Sequence, residues 1–236
     1  MSEAETAYPR LPGTWRSALA FLLGMILPGR LRRGLYRALL GYEIDRTAVL
    51  GPCFLRVQKL TLGPGAKIGA FTFIRNVREV CIGEESRIGT FNWIYGMIGP
   101  SDRHFLDEPD RAPDFIMEEQ SSLTSRHIVD CTNRVRIGAF STVAGFYSQI
   151  LTHGIDPVDC RQTSKPVEIG RYCLLGTGSV ILKGAVVPDG TVLGAGSVFR
   201  GAPTETHALY SGVPAEFIRK MPEDAAYFHR THGTVD

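Results

Sequence analysis

VEIGRYCLLGTGSVILKGAVVPDGTVLGAGSVFR, from Val167 to Arg200, decides the fold. Within it aliphatic residues return every six positions, at Ile169, Leu175, Ile181, Val187 and Leu193. A small side chain follows each by four, at Cys173, Ser179, Ala185, Thr191 and Ser197. A period of six fits neither an amphipathic helix nor a simple alternating strand, so it is read as a repeat architecture. Each hexapeptide supplies one short strand and one corner, and three of them close a coil of a three-sided prism. The aliphatic residue fills the axis, and the small one points inward where a corner leaves little room. Gly170, Gly176 and Gly194 follow aliphatic positions, where coil packs on coil.

The expected fold class is mainly all-β, a left-handed parallel β-helix with short N-terminal and C-terminal helices. Upstream the pattern weakens but persists: Ile44, Leu50, Leu62 with Ala66, Ile68 with Thr72, Ile82 with Ser86, and Ile88 with Asn92. Further turns begin at Leu123, Val129, Ile137, Val143 and Gln149. The β-helix is expected over 44–200, with external loops near 97–121 and 154–166; insertions in a solenoid often carry its binding function. Residues 201–236 form a C-terminal extension in which Val213 to Lys220 reads as a strand or extended link into a helix. In residues 1–43, helical spacing from Trp15 to Leu40 broken at Pro28-Gly29 suggests two short helices. These either cap the first coil, since open solenoid ends need covering, or lie on a membrane surface through residues 15–40.

Bulk composition excludes several classes. With 236 residues, 44% hydrophobic, the chain supports one main domain, and 26 Gly with 14 Pro suit a fold that turns every few residues. A net charge of +2, without basic runs interleaved with aromatics, gives no sign of nucleic acid. Charge is uneven, however: residues 1–40 carry six Arg against two Glu, and residues 101–119 carry seven acids against Arg103 and Arg111. Five cysteines, Cys53, Cys81, Cys131, Cys160 and Cys173, form no Cys-x-x-Cys pair, and their odd count argues for a reducing cytoplasm. The apolar run Ala18–Leu27 is too short to span a bilayer, and its positive charges follow it instead of preceding it as in a signal peptide.

Across Val167–Arg200, and again at Gly212-Val-Pro-Ala-Glu-Phe-Ile-Arg219, the sequence resembles the hexapeptide-repeat acyltransferases, in particular sugar O-acetyltransferases of polysaccharide biosynthesis. That resemblance extends over about residues 30–221. It implies a homotrimer with active sites between neighbouring prisms, acetyl-coenzyme A as co-substrate lying along the coils, a sugar or glycan acceptor, and no permanently bound cofactor or metal. Apart from this resemblance, the cysteine count and the apolar run set the expected location: the cytoplasm, or the inner face of the membrane if residues 15–40 lie on it.

His153, where the repeat yields to the second loop, stands where such enzymes keep a catalytic histidine. A sugar hydroxyl is a poor nucleophile at neutral pH, and an imidazole can take its proton and pass it to the departing thiolate. Otherwise His153 is a hydrogen-bonded corner residue. If the hexads at 123, 129 and 137 make one coil and those at 143 and 149 begin the next, His127 lies beneath Tyr147 and Asn133 beneath His153. His127 is then a second catalytic or substrate-touching candidate, or a core residue, and Tyr147 a substrate-side one. Asn133 either orients the imidazole or donates to an oxyanion, or is corner structure. Asp130 and Asp156 can each fix the histidine tautomer, and sequence does not choose between them; Asp130 is also a candidate for binding the substrate.

Gly176, Thr177 or Gly178 could offer a backbone N–H to the oxyanion or touch pantetheine, or merely pack. Lys183, Arg200, Arg219 and Lys220 are candidates for coenzyme A phosphates, or else solvated charges. Asn92 either binds acceptor hydroxyls or stacks in a corner, and the acidic insertion with His104 is an acceptor lid or a solvated loop. Two other functions compete. One is a γ-carbonic-anhydrase-like zinc enzyme, weakened because His127 and His153 are 26 residues apart and neither has a close histidine companion. The other is a non-catalytic trimeric scaffold.

Overall fold

The computed structural model describes residues 10–99 and 104–235; the expectations that touch Glu3, Glu5, Asp102 and Arg103 lie outside them. The chain forms a left-handed parallel β-helix preceded by two helices, α1 (Thr14–Ile26) and α2 (Gly29–Leu40). Three ladders of short parallel strands make the faces. The first runs Val49–Leu50, Lys67–Ile68, Arg87–Ile88, Ser122–Leu123, Thr142–Val143, Leu174–Leu175 and Val192–Leu193. The second passes through Trp93–Tyr95, Ile128–Asp130, Gln149–Leu151 and Val180–Ile181. The third passes through Asp114–Met117, Val135–Ile137, Val167–Ile169 and Val186–Val187. In the lower coils Phe54–Leu62 and Phe73–Ile82 run continuously from the second face into the third.

The period-six residues fill the axis: Ile169, Leu175, Ile181, Val187 and Leu193 are all buried, as are the small corner residues Cys173, Ser179, Ala185, Thr191 and Ser197. Corners close through residues at positive φ, such as Gly178 and Gly196 but also Phe91, Arg126 and Tyr147. The close approach of coils explains the glycines after the aliphatic positions. A Cβ on Gly138 would lie 2.5 Å from the carbonyl oxygen of Gly170.

Two departures from the periodic reading matter. In the turn begun at Val143, Ile150 and not Gln149 is the buried residue, because the Gly145–Tyr147 corner holds one residue more than a hexapeptide allows. The C-terminal extension is a hairpin, Ala208–Gly212 with Ala215–Lys220, that adds a rung to the first face. The expected C-terminal helix is a single 3₁₀ turn, Ala226–His229. The tail runs back along the prism, where Tyr227 donates to the Cys173 carbonyl (3.0 Å) and Gly233 N–H to Gln120 Oε1 (2.8 Å).

α2 seals the lower end. A first coil has no neighbour below, so its inward backbone groups need partners. Buried Tyr36 donates to the Cys53 carbonyl (2.5 Å) and accepts from the Cys53 N–H (3.2 Å). Arg32 donates to the Leu50 carbonyl (2.9 Å) and Arg33 to that of Ala48 (3.0 Å). Leu27, held extended before Pro28, ends α1, and left-handed Gly41 ends α2.

Candidate active site

Wherever the chain departs from six residues per face on a large scale, it does so at the corner between the second and third faces. The first insertion leaves after Tyr95 and returns at Asp114; the second leaves after Leu151 and returns at Val167. Between these two coils lies the coil of Ile128–Asp130, whose own corner is short. Both insertions therefore fold over the corner of this middle coil and meet there. The second is an antiparallel hairpin, His153–Asp156 against Arg161–Ser164. The first is pinned by Arg111, which donates to the carbonyls of Met97 (2.5 Å), Thr132 (2.7 Å) and Gly99 (3.0 Å), and by the two-pronged pair Arg78–Asp114. Glu108 then accepts from the N–H of Ser164 (2.7 Å) and from its hydroxyl, and Arg161 pairs with Asp107 (2.8 Å), locking the insertions together.

At this junction His153 Nδ1 lies 2.5 Å from Oδ2 of Asp130. Asp130 is fully buried and surrounded by donors. Oδ1 accepts from the N–H and hydroxyl of Thr132 (2.9 and 2.6 Å), and Oδ2 from the N–H groups of Thr152 (2.9 Å) and His153 (3.0 Å). Burial alone would raise its pKa, but the hydrogen bonds from Thr132 and His153 outweigh it and hold the carboxyl below its usual value. An ionised carboxylate on Nδ1 fixes the proton there and leaves the lone pair on Nε2. The ring is 32% exposed and stands nearly perpendicular to that of Phe105, with centroids 6.4 Å apart, and among the described residues nothing hydrogen-bonds Nε2.

The structure brings Asp130 to His153, and it separates the others. Strand register pairs Asp130 with Leu151; the extra residue at Gly145–Tyr147 shifts the column by one, so Asn133 does not lie beneath His153. Asn133 instead donates to Ser164 Oγ (3.0 Å) and accepts from Arg134 N–H (2.8 Å). It lines a cavity of about 340 Å³ with Glu108, Arg111, Arg134 and Pro166, a cavity that His153 does not line. Asp156 sits farther out on the hairpin, accepting from the N–H groups of Val158 (2.9 Å) and Asp159 (3.4 Å).

His127 occupies the small-residue column between the first and second faces, stacked between Asn92 and Ser148. Its N–H donates to Asn92 Oδ1 (2.9 Å), its Nδ1 accepts from Ser148 N–H (3.1 Å), and Nε2 lies 2.8 Å from Thr124 Oγ1. Burial pushes its pKa down to about 4, so the ring is neutral with both nitrogens engaged. Asn92, also buried, donates to the Thr124 carbonyl (2.7 Å), leaving neither residue a polar atom for a ligand. Tyr147 is exposed at the same corner, with Arg126 donating to its hydroxyl at 3.3 Å.

On the upper coils the N–H groups of Gly176 and Gly178 donate to the carbonyls of Leu193 (2.8 Å) and Phe146 (2.9 Å). Thr177 Oγ1 is bonded to Phe146. Lys183 donates to Thr163 Oγ1 (2.5 Å) and lies beside Gly154, tying the hairpin to the prism. Arg200 is exposed at the upper end, and Arg219 and Lys220 lie on the C-terminal hairpin, where Lys220 pairs with Glu205 at 2.5 Å. Sequence reasoning missed Phe105, Glu108, Arg111 and Ser164, which form the junction; no periodic signal marks them.

No protein-family model matches the sequence. Among curated proteins, the chain is similar to the putative lipopolysaccharide biosynthesis O-acetyl transferase WbbJ of Escherichia coli K12, at 40% identity over 75 residues. That stretch covers 31% of this chain and 38% of the relative, well under two thirds of its length. Among solved structures, the polysialic acid O-acetyltransferase OatWY matches with a TM-score of 0.56 at 17% identity, covering 79% of this chain and 90% of that one. A hexapeptide-repeat-containing acetyltransferase from Vibrio cholerae matches at 0.47 and 16%, covering 89% and 91%. At these identities the structural likeness is one of fold.

Proposed function

We propose that this chain, a hexapeptide-repeat β-helix protein similar to the sugar and polysaccharide O-acetyltransferases, moves an acetyl group from acetyl-coenzyme A to a sugar hydroxyl in polysaccharide or glycolipid biosynthesis. The observation that carries this reading is the Asp130–His153 pair at 2.5 Å, with no hydrogen bond to Nε2 among the described residues where two insertions meet. Nε2 takes the acceptor's proton as its oxygen attacks the thioester carbonyl. The tetrahedral intermediate then collapses, the C–S bond breaks, and the thiolate leaves with the proton from Nε2. No acyl-enzyme is needed, and Asp130 stays ionised throughout, orienting the ring and balancing the imidazolium.

Asp130 thus takes the positioning role for which Asp156 was also a candidate. Lys183, Arg200, Arg219 and Lys220 on the upper coils and C-terminal hairpin remain the candidates for the donor's phosphates, and a homotrimer the assembly that would complete the site. The test compares glycans, by mass spectrometry, from cells carrying wild type or His153→Ala, together with thiol release from acetyl-coenzyme A by the purified proteins. Loss of the general base lowers turnover about 10²- to 10⁴-fold, with oligomer size and circular dichroism unchanged. Equal acetylation by the two proteins would overturn the assignment and favour a scaffold.

A further inference from the structure

We infer that α1 is an interfacial anchor that seats the protein on an anionic phospholipid surface. The two N-terminal helices divide two tasks. α2 is the cap, since its Tyr36, Arg32 and Arg33 satisfy the backbone of the first coil. α1 is turned the opposite way from a helix built to cover a core. Its buried residues are the small Ser17, Ala20 and Gly24, the last against the ring of Tyr36. Its large apolar residues face outward, with Trp15 64%, Leu22 54% and Ile26 82% exposed, joined by Leu19, Leu23 and Met25. Trp15, Leu19, Leu22, Leu23 and Ile26 stand at i, i+4, i+7, i+8 and i+11, one continuous stripe along the helix.

The helix is held in this pose. Phe21 packs against Phe71 and Phe73 (ring centroids 6.4 and 5.8 Å), and Arg56 donates to the Pro12 carbonyl at 3.2 Å. The outward stripe is thus fixed geometry. At 13 residues α1 is too short to cross a bilayer, and no described helix is long and apolar enough to do so.

Charge selects the occupant. From Arg10 to Tyr42 there are six Arg and no Asp or Glu. Arg32 and Arg33 are spent on the cap, which leaves Arg10, Arg16, Arg30 and Arg37 exposed on the N-terminal segment and its two helices, together with exposed Leu31. A second copy of the same surface would bring like charges together around any apolar contact. A bilayer carrying anionic headgroups accepts the stripe among its acyl chains and pairs the arginines at the headgroup level.

Trp15 and Trp93 are the two tryptophans of the chain, so Trp15 reports alone in a Trp93→Phe background. Full-length protein is mixed with vesicles of phosphatidylcholine, or of phosphatidylcholine with phosphatidylglycerol. The expected result is co-sedimentation with the anionic vesicles, a blue shift of Trp15 emission, and weakening of both by salt. Leu22→Ser/Ile26→Ser, at solvent-facing positions, should lower partitioning more than tenfold without changing the melting temperature. Arg16→Gln/Arg30→Gln/Arg37→Gln should abolish the preference for anionic vesicles. Three results overturn the proposal: wild type stays in the supernatant, it binds both vesicle types equally, or Leu22→Ser/Ile26→Ser lowers the oligomer mass while Trp15 emission ignores vesicles. The last would mean that another copy of the chain covers the stripe. None of these readouts depends on acyl transfer.

Discussion

Asp130→Asn separates orientation of the imidazole from its charge balance. Every group facing this carboxylate is a donor: the N–H and hydroxyl of Thr132 on Oδ1, and on Oδ2 two backbone N–H groups, the Thr152 hydroxyl and ring Nδ1. An amide offers one oxygen, so its NH₂ must oppose donors on one side. Placed at Oδ1, the NH₂ strands one N–H, because the Thr132 hydroxyl can rotate to accept. Placed at Oδ2, it opposes two backbone N–H groups and Nδ1. The first arrangement spares a buried donor, worth about 1–3 kcal/mol, so the variant keeps the oxygen on His153 and the tautomer intact.

What the variant loses is charge. A hydrogen bond to a charged group contributes about 1.5–3 kcal/mol and a neutral one about 0.5–1.5, so the imidazolium loses roughly 1–2 kcal/mol. That predicts a fall in kcat of about five- to thirtyfold at 1.36 kcal/mol per decade, well short of His153→Ala, with a stability loss of about 1–3 kcal/mol in chemical denaturation. Thiol release at saturating acetyl-coenzyme A reads the rate. A wild-type rate would deny Asp130 any role; a rate as low as that of His153→Ala, with the fold intact, would refute the orientation reasoning. The sign with pH also follows. A carboxyl held below its usual value in the folded state contributes stability above about pH 3.9 that is lost as pH falls through the folded value. The Asn variant lacks that acid limb.

Three further outcomes are expected. His127→Asn places at this corner the residue type that serves one coil below, so turnover should persist. Because the unfolded imidazole binds a proton near pH 6.5 that the folded one refuses until about 4, wild type should lose up to about 3 kcal/mol between those values, and the variant's melting temperature should fall less over the same range. Leu175→Asp puts an unpaired carboxylate on the axis and should cost more than the ~2–5 kcal/mol of a Leu-to-Ala truncation, read as a collapse of the thermal transition. Gly176→Ala places a Cβ 2.6 Å from Ala195 N and should cost about 1–3 kcal/mol in melts without any ligand, showing that this glycine is required for coil stacking.

The prism was legible because each hexapeptide repeats one physical problem, filling an axis and turning a corner. Ile169 to Leu193 solve it five times in the same register, and upstream Ala66, Thr72, Ser86 and Asn92 keep the corner column visible where the aliphatic spacing loosens. His127 stands in that column too. Its place was hidden because the column usually holds small residues, and a histidine fits only where Asn92 below, Ser148 above and Thr124 beside it meet its polar atoms. The N-terminal alternatives, cap or surface segment, stayed open because both need amphipathic helices. Which face of α1 is buried depends on the small residues that let it approach Tyr36.

The site was harder to read, for a reason that lies in the geometry of the repeat. Hydrophobic period gives the order of faces but not how many residues each corner absorbs, and a single uncounted residue moves every later neighbour along the column. The seven-residue step from Val143 to Ile150 takes Asn133 out from beneath His153, while Asp130, in register with Leu151, reaches the ring through its side chain. All the larger irregularities fall after a second-face strand: Ile74 to Ile82, Ile94 to Met117, Val129 to Ile137 and Ile150 to Ile169. One corner of the prism is therefore elastic while the other two stay short. Coils stack in register, so insertions at that corner two coils apart overhang the one between. Phe105 and Glu108 from one insertion thereby reach His153 and Ser164 of the other, and a buried aspartate of the middle coil holds the imidazole of the second. Had either insertion left from another corner, Asp130 and His153 would still pair through the strand register, but the imidazole would have no walls.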